Sequence, residues 1–121
     1  MGRCKGNSVL KFTEYQNKAS MTAIYPNETQ IAALSFLTLK LNGEAGEVAE
    51  LIGKHIRDDK GSNLTTERIG KIQKELGDVL WYVAMIAKEI NCDLSGIAVL
   101  NLAKLKDRQI RGVLQGSGSD R

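Results

Sequence analysis

Two long runs of apolar residues at alternating spacings of three and four dominate this chain, with one short polar stretch between them. The first run is Leu34, Leu37, Leu41, Ala45, Val48, Ile52 and Ile56. The second is Ile69, Ile72, Leu76, Val79, Val83, Ile86 and Ile90, the cleaner of the two. That period lines each set along one side of an α-helix. The intervening Asp58-Asp59-Lys60-Gly61-Ser62-Asn63 has the composition of a turn. Helices so joined bury their stripes against each other, which predicts a central antiparallel hairpin.

Each run carries a copy of one small acidic pattern. Gly43-Glu44-Ala45-Gly46-Glu47-Val48 lies in the first and Lys74-Glu75-Leu76-Gly77-Asp78-Val79 in the second. Acids three residues apart share a helix face, and like charges at that spacing destabilise a bare helix. All four immediately precede a stripe residue, so both pairs occupy the same shoulder of their stripes. Glu44 mirrors Asp78 about Gly61, and Glu47 mirrors Glu75. Folding at that glycine brings four carboxylates to one level, an oxygen donor set suited to a hard divalent cation. Scattered surface charge paired with Lys40, Lys54, Lys71 and Lys74 is the plainer reading, but it does not predict a shared shoulder and midpoint. Glu50 has Ile72 as its mirror, so an exposed pair with Lys54 is expected for it.

The rest of the chain also reads as helical. Residues 1–12 form an aperiodic, flexible lead. Thr13-Glu14-Tyr15-Gln16 fits a capping box that opens a helix running to about Ile24. Tyr25-Pro26 stops that helix, and Asn27-Glu28-Thr29-Gln30 starts the next. Asn42-Gly43 is a candidate bend within it. Thr65 or Thr66 caps a third helix, which Asn91 ends. Asp93 or Ser95 caps a fourth, with Ile97, Leu100 (or Val99), Leu105 and Ile110 as its expected buried face. Residues 112–121 form a glycine-rich, non-helical tail. No stretch alternates as a strand, so the fold class is all-α, a four-helix bundle-like arrangement.

Composition narrows the function. With 121 residues, 42% hydrophobic and 26% charged, the chain reads as one globular domain over 1–121. A net charge of +3 is too mild to call for a nucleic-acid partner. Cys4 and Cys92 give neither a disulfide framework nor metal-ligand spacing, which suits a cytoplasmic protein. No apolar run is long enough to span a membrane, and the start does not read as a secretion signal.

Other chemistry is sparse. Asn101, Lys104 and Arg108 fall on one stripe of the fourth helix, suited to phosphate oxygens beside a metal or, alone, to a solvated face. Arg111 and the tail, with Ser117, Ser119 and Arg121, are suited either to wrapping a phosphate or to a frayed terminus. Trp81, one turn after Asp78, is placed to stack on a base or to fill a subunit interface, with Tyr82 beside it. His55 has no ligand or nucleophile companion and is expected at the surface. No phosphate-binding glycine loop and no nucleophilic triad is present.

Glu44-x-x-Glu47, a gap of 27 residues, then Glu75-x-x-Asp78 resembles the ExxE…ExxD signature of MazG-type nucleoside triphosphate pyrophosphohydrolases. The flanking Leu-Asn-Gly-Glu-Ala-Gly-Glu-Val-Ala-Glu and Glu-Leu-Gly-Asp-Val-Leu-Trp-Tyr, the downstream Asn-Leu-Ala-Lys-Leu-Lys-Asp-Arg and the tail are similar as well. The tail's Gly-Ser-Gly-Ser-Asp-Arg departs from the family's pattern, in which an acid tends to follow the second glycine directly. The resemblance implies an all-α fold, Mg²⁺ (or Mn²⁺) on Glu44, Glu47, Glu75 and Asp78, and cleavage between the α and β phosphates. Lys104 and Arg108 would hold phosphate, Asn101 sugar or base, and the assembly would be a homodimer or homotetramer. The residues leave open whether Glu44 or Glu47 is the general base. A non-catalytic helical partner with a structural metal site is the rival expectation.

Overall fold

The computed structural model describes residues 9–118. The expected positions in the lead, Cys4 among them, and in the tail, Ser119 and Arg121, lie outside the described residues. Four helices follow one another: α1 Phe12–Ser20, α2 Gln30–Asp59, α3 Thr66–Glu89 and α4 Leu94–Arg111. No strand occurs among the described residues.

The ends of α2, α3 and α4 follow local chemistry. The Thr29 and Thr65 side chains accept from the Ala32 and Arg68 amides, and the Asp93 carboxylate accepts from Ser95 N. Each supplies a partner for an amide that the first helical turn leaves unbonded. Lys60 and Gly61, at φ 47° and 83°, turn the chain out of α2, and Asn91 at φ 58° turns it out of α3. α2 runs unbroken through Asn42-Gly43, where a bend was a candidate.

α1 departs from expectation at both ends. Its N-cap is Lys11, which contributes no side-chain cap, and Thr13 lies inside the first turn. The Thr13 amide donates instead to Ser95 Oγ at 3.1 Å, and its hydroxyl to Asp93 Oδ1 at 2.8 Å. α4 therefore caps α1 from across the fold. The helix stops at Ser20 rather than Ile24, where Thr22 Oγ1 donates to the Ala19 carbonyl.

Of the 30 residues of α2, about 45 Å of helix, the packing is onto α3 alone, while α1 bridges α3 and α4. The core lies at one end of the hairpin. Ala19, Leu37, Ala84, Met85 and Leu94 form it, with Tyr15, Phe36, Trp81 and Ile86 packed against them. Gln16 is buried there and joins three helices: its Nε2 donates to the Ala84 and Cys92 carbonyls, and its Oε1 accepts from Leu94 N.

The other end of the hairpin has no third layer. Ile56 and Leu76, both stripe residues, are more than half exposed there. His55 corrects the sequence reading, because it is buried rather than superficial. The turn folds back over it, placing Nδ1 2.9 Å from Asp59 Oδ2 and Nε2 2.7 Å from the Ser62 carbonyl. Arg68 donates to the same Asp59 oxygen and to the Leu51 carbonyl. α4 brings a second correction: Leu100, Leu105 and Ile110 are exposed, and the buried residues are Leu94 and Arg108. Only the first turns of α4 lie against the body.

Candidate metal centre

The hairpin brings three of the four acids together. Oxygens of Glu44, Glu75 and Asp78 lie within 4.8 Å of one another, from two antiparallel helices. Glu47 is not in that trio; it is exposed. The bend of the turn, from Asp59 to Thr66, sets the level of α3 so that Glu44 meets both members of the second pair.

Electrostatics mark the trio as unsatisfied. Partial burial, then a hydrogen bond shared with Glu44 and the charges of Glu44, Asp78 and Glu47, push the Glu75 carboxyl above the usual glutamate range. Among the described residues no lysine or arginine forms an ion pair with Glu44, Glu47, Glu75 or Asp78. Two of the lysines available for surface pairing are taken elsewhere, Lys54 by Glu50 at 2.9 Å and Lys71 by Glu67 at 3.1 Å. Three convergent carboxylates without a counter-charge are a donor set that fits a hard cation such as Mg²⁺ or Mn²⁺.

A cleft of about 380 Å³ opens beside the trio, lined by Thr22, Glu44, Asp78, Trp81 and Tyr82. Trp81 is fixed in it. Its Nε1 donates to Thr22 Oγ1 at 2.9 Å, and its ring meets Tyr82 edge-on at 5.0 Å and Tyr25 at 6.3 Å. Tyr15 borders the same acids. Burial first, and then the Asp78 charge, raise its phenol. Thr22, Tyr15 and Tyr25 were not among the sequence candidates; no spacing rule connects α1 and its exit loop to the acids.

The α4 candidates are placed differently from one another. Asn101 and Lys104 line a separate cleft of about 280 Å³ with Ile97 and Leu100. Arg108 is buried, and its NH2 reaches the Gly118 carbonyl at 3.5 Å, under the returning tail. Gly112 at φ 71° makes that return possible, and Val113 N closes back on the Arg108 carbonyl at 2.9 Å. Arg111 pairs with Asp107 at 2.8 Å. The expected Asn101, Lys104 and Arg108 face is thus split between an open cleft and the tail.

The profile of the MazG nucleotide pyrophosphohydrolase domain matches residues 33–112, which spans both acidic pairs and α4. The chain belongs to the MazG family. The Gene 37 protein of Mycobacterium phage L5 is 47% identical to it over 110 residues, covering 88% of this chain and 96% of that protein. No solved structure matches it. Within this MazG chain the matched span contains the acid trio, Trp81, Lys104 and Arg108, but begins after α1, which supplies Tyr15 and leads to Thr22. No helix among the described residues is long and apolar enough to cross a membrane.

Proposed function

We propose that this chain hydrolyses (deoxy)nucleoside triphosphates to the monophosphate and pyrophosphate in the presence of Mg²⁺, clearing nucleotides from the cytoplasm. The observation that carries this reading is the unpaired trio of Glu44, Glu75 and Asp78 beside an aromatic-floored cleft, in a chain of the MazG family.

Glu44, Glu75 and Asp78 would hold the metal, with Glu47 the next nearest acid. The bound ion supplies charge neutralisation of the phosphates and polarisation of the α-phosphoryl group. Glu47, outside the trio, is the carboxylate left to take a proton from the attacking water. The water oxygen bonds to the α-phosphorus, the α–β bridging bond breaks, and pyrophosphate leaves with the bridging oxygen. Such a transfer rests on positioning and charge rather than on a covalent nucleophile. Trp81, held by Thr22, offers an apolar face to the base. Lys104 is the exposed phosphate contact and Asn101 the sugar or base contact. Arg108 and Arg111 act on the same helix from positions tied to the tail and to Asp107.

The acting form is a homodimer or homotetramer, with a nucleotide and no nucleic acid as its partner. A panel of canonical and modified NTPs and dNTPs, with products separated by chromatography, tests the proposal. Monophosphate plus pyrophosphate, lost on adding EDTA, is the expected result. Orthophosphate release, or no turnover across the panel, overturns it.

A further inference from the structure

Trp81 enters the acid cleft from α3, but much of what fixes its ring comes from residues 21–29, the connection between α1 and α2. Within that connection Met21 and Ile24 are 86% and 96% exposed, so apolar burial does not hold their side chains. Thr22 and Tyr25 are anchored, and both meet Trp81. Tyr25 stacks on Phe36 at 6.4 Å, donates its hydroxyl hydrogen to Glu89, and meets the indole edge-on at 6.3 Å. Thr22 Oγ1 donates to the Ala19 carbonyl at 2.7 Å and accepts from Trp81 Nε1 at 2.9 Å.

Chemistry fixes the direction of both Thr22 bonds. A carbonyl only accepts and an indole N–H only donates, so the single hydroxyl proton goes to Ala19 and a lone pair faces Trp81. Ala19 belongs to the buried core, and its carbonyl also accepts from Thr22 N at 3.0 Å. The hydroxyl is therefore tied to the core, and β-branching stiffens the side chain that carries it. The indole is held at its N–H by Thr22 and along its sides by Tyr25 and Tyr82.

We infer that Thr22 is a positioning residue: its hydroxyl sets the angle at which Trp81 presents its face to the base, and so aims a nucleotide's phosphates at Glu44, Glu75 and Asp78. The inference rests on the nucleotide reading of the cleft. Thr22, Trp81, Glu44 and Asp78 line one cavity, so fixing the indole fixes the base end of a substrate whose phosphate end meets the acids. Thr22 precedes residues 33–112, the span that the family profile matches. The support is thus supplied by this chain's own leading segment. Stacking of a base on an aromatic face contributes on the order of fivefold to a hundredfold in binding, and a ring turned out of line forfeits it.

A double-mutant cycle tests this. Thr22→Val keeps the shape and removes the hydroxyl, Thr22→Ser keeps the hydroxyl, and Trp81→Phe removes the N–H that the hydroxyl holds. Thr22→Val is expected to raise KM for ATP and CTP by about fivefold or more, with kcat near the wild-type value. Thr22→Ser restores KM. Inhibition by inorganic triphosphate, which has no base, is equal in all the Thr22 variants. With Phe at position 81, Thr22→Val adds no further loss. Wild-type KM in Thr22→Val, an equal loss of inorganic triphosphate binding, or additive effects in the cycle overturns the inference.

Should the wild type turn over no nucleotide, the proposed activity fails and the indole N–H signal of ¹⁵N-labelled protein still decides the positioning. The chain has one tryptophan, so the signal needs no assignment. A titration with AMP and Mg²⁺ that shifts it in the wild type, and needs about fivefold more AMP in Thr22→Val, supports the inference. No shift, or the same midpoint in both proteins, overturns it.

Discussion

Glu75 is half-buried and faces three other carboxylates, so its ionised form is costly in the folded chain. The sign follows from its raised pKa. The group favours folding below the ordinary glutamate range, and that contribution is lost as pH rises through the raised value. Metal-free protein should therefore lose melting temperature as pH climbs through this range, and Mg²⁺ should restore it. Melts with and without the ion test this; Glu44→Gln should flatten the metal-free slope. A further residue-scale test concerns Glu47, whose replacement by Gln should abolish turnover while helical circular dichroism stays at the wild-type level. Tyr25 titrates far from the ordinary range as well. Burial, then the hydrogen bond to Glu89, push it up to about 12. Its stabilising contribution is complete below the usual tyrosine range and disappears as pH rises through 12. Ultraviolet titration should show one phenol ionising near that value, absent in Tyr25→Phe.

At the scale of elements, Gln16 ties α1 to the end of α3 and the start of α4 through a single buried amide. Gln16→Ala removes three buried hydrogen bonds, leaves the Leu94 amide and the Cys92 carbonyl without this partner, and should cost about 3 kcal/mol, read from urea unfolding. Thr65→Ala removes only a helix cap and should cost about 1 kcal/mol in the same experiment. The contrast also explains what the sequence made legible. Thr29, Thr65 and Asp93 cap helices within their own first turn, and Gly61 turns the chain locally, so composition and period suffice to find them. Thr13 looked like the same kind of signal, but its amide and hydroxyl are engaged by Ser95 and Asp93, some eighty residues away in sequence. No local rule reports such a partner. Trp81 was visible as a candidate because it follows Asp78 by one turn, whereas Thr22, which holds its ring, joins the site only through the tertiary fold.

The whole molecule is unevenly built. Its core gathers where α1, the first turns of α2, the end of α3 and the start of α4 meet, and the distal half of the hairpin depends on two facing helices and the enclosed His55. Mirror symmetry about Gly61 predicted four carboxylates at one level, whereas the described residues group Glu44, Glu75 and Asp78 and leave Glu47 outside that trio. The burial of His55 and Arg108 was not foreseeable from spacing, because chain returning from a turn covers each of them. Nor did periodicity foretell that Leu100, Leu105 and Ile110 of α4 stay exposed. If copies associate as proposed, the melting temperature should rise with protein concentration. Dilution across a hundredfold range in calorimetry checks this; a constant value would mark a monomer.

The hydrogen bond between Trp81 and Thr22 has an optical consequence. The chain contains one tryptophan, and it lies in the wall of the acid cleft with its N–H already engaged. All indole emission therefore originates at that wall. Arrival of a nucleobase or a divalent ion would register in its intensity and wavelength without any attached dye, and Tyr15 and Tyr82 supply a neighbouring pair of ultraviolet donors.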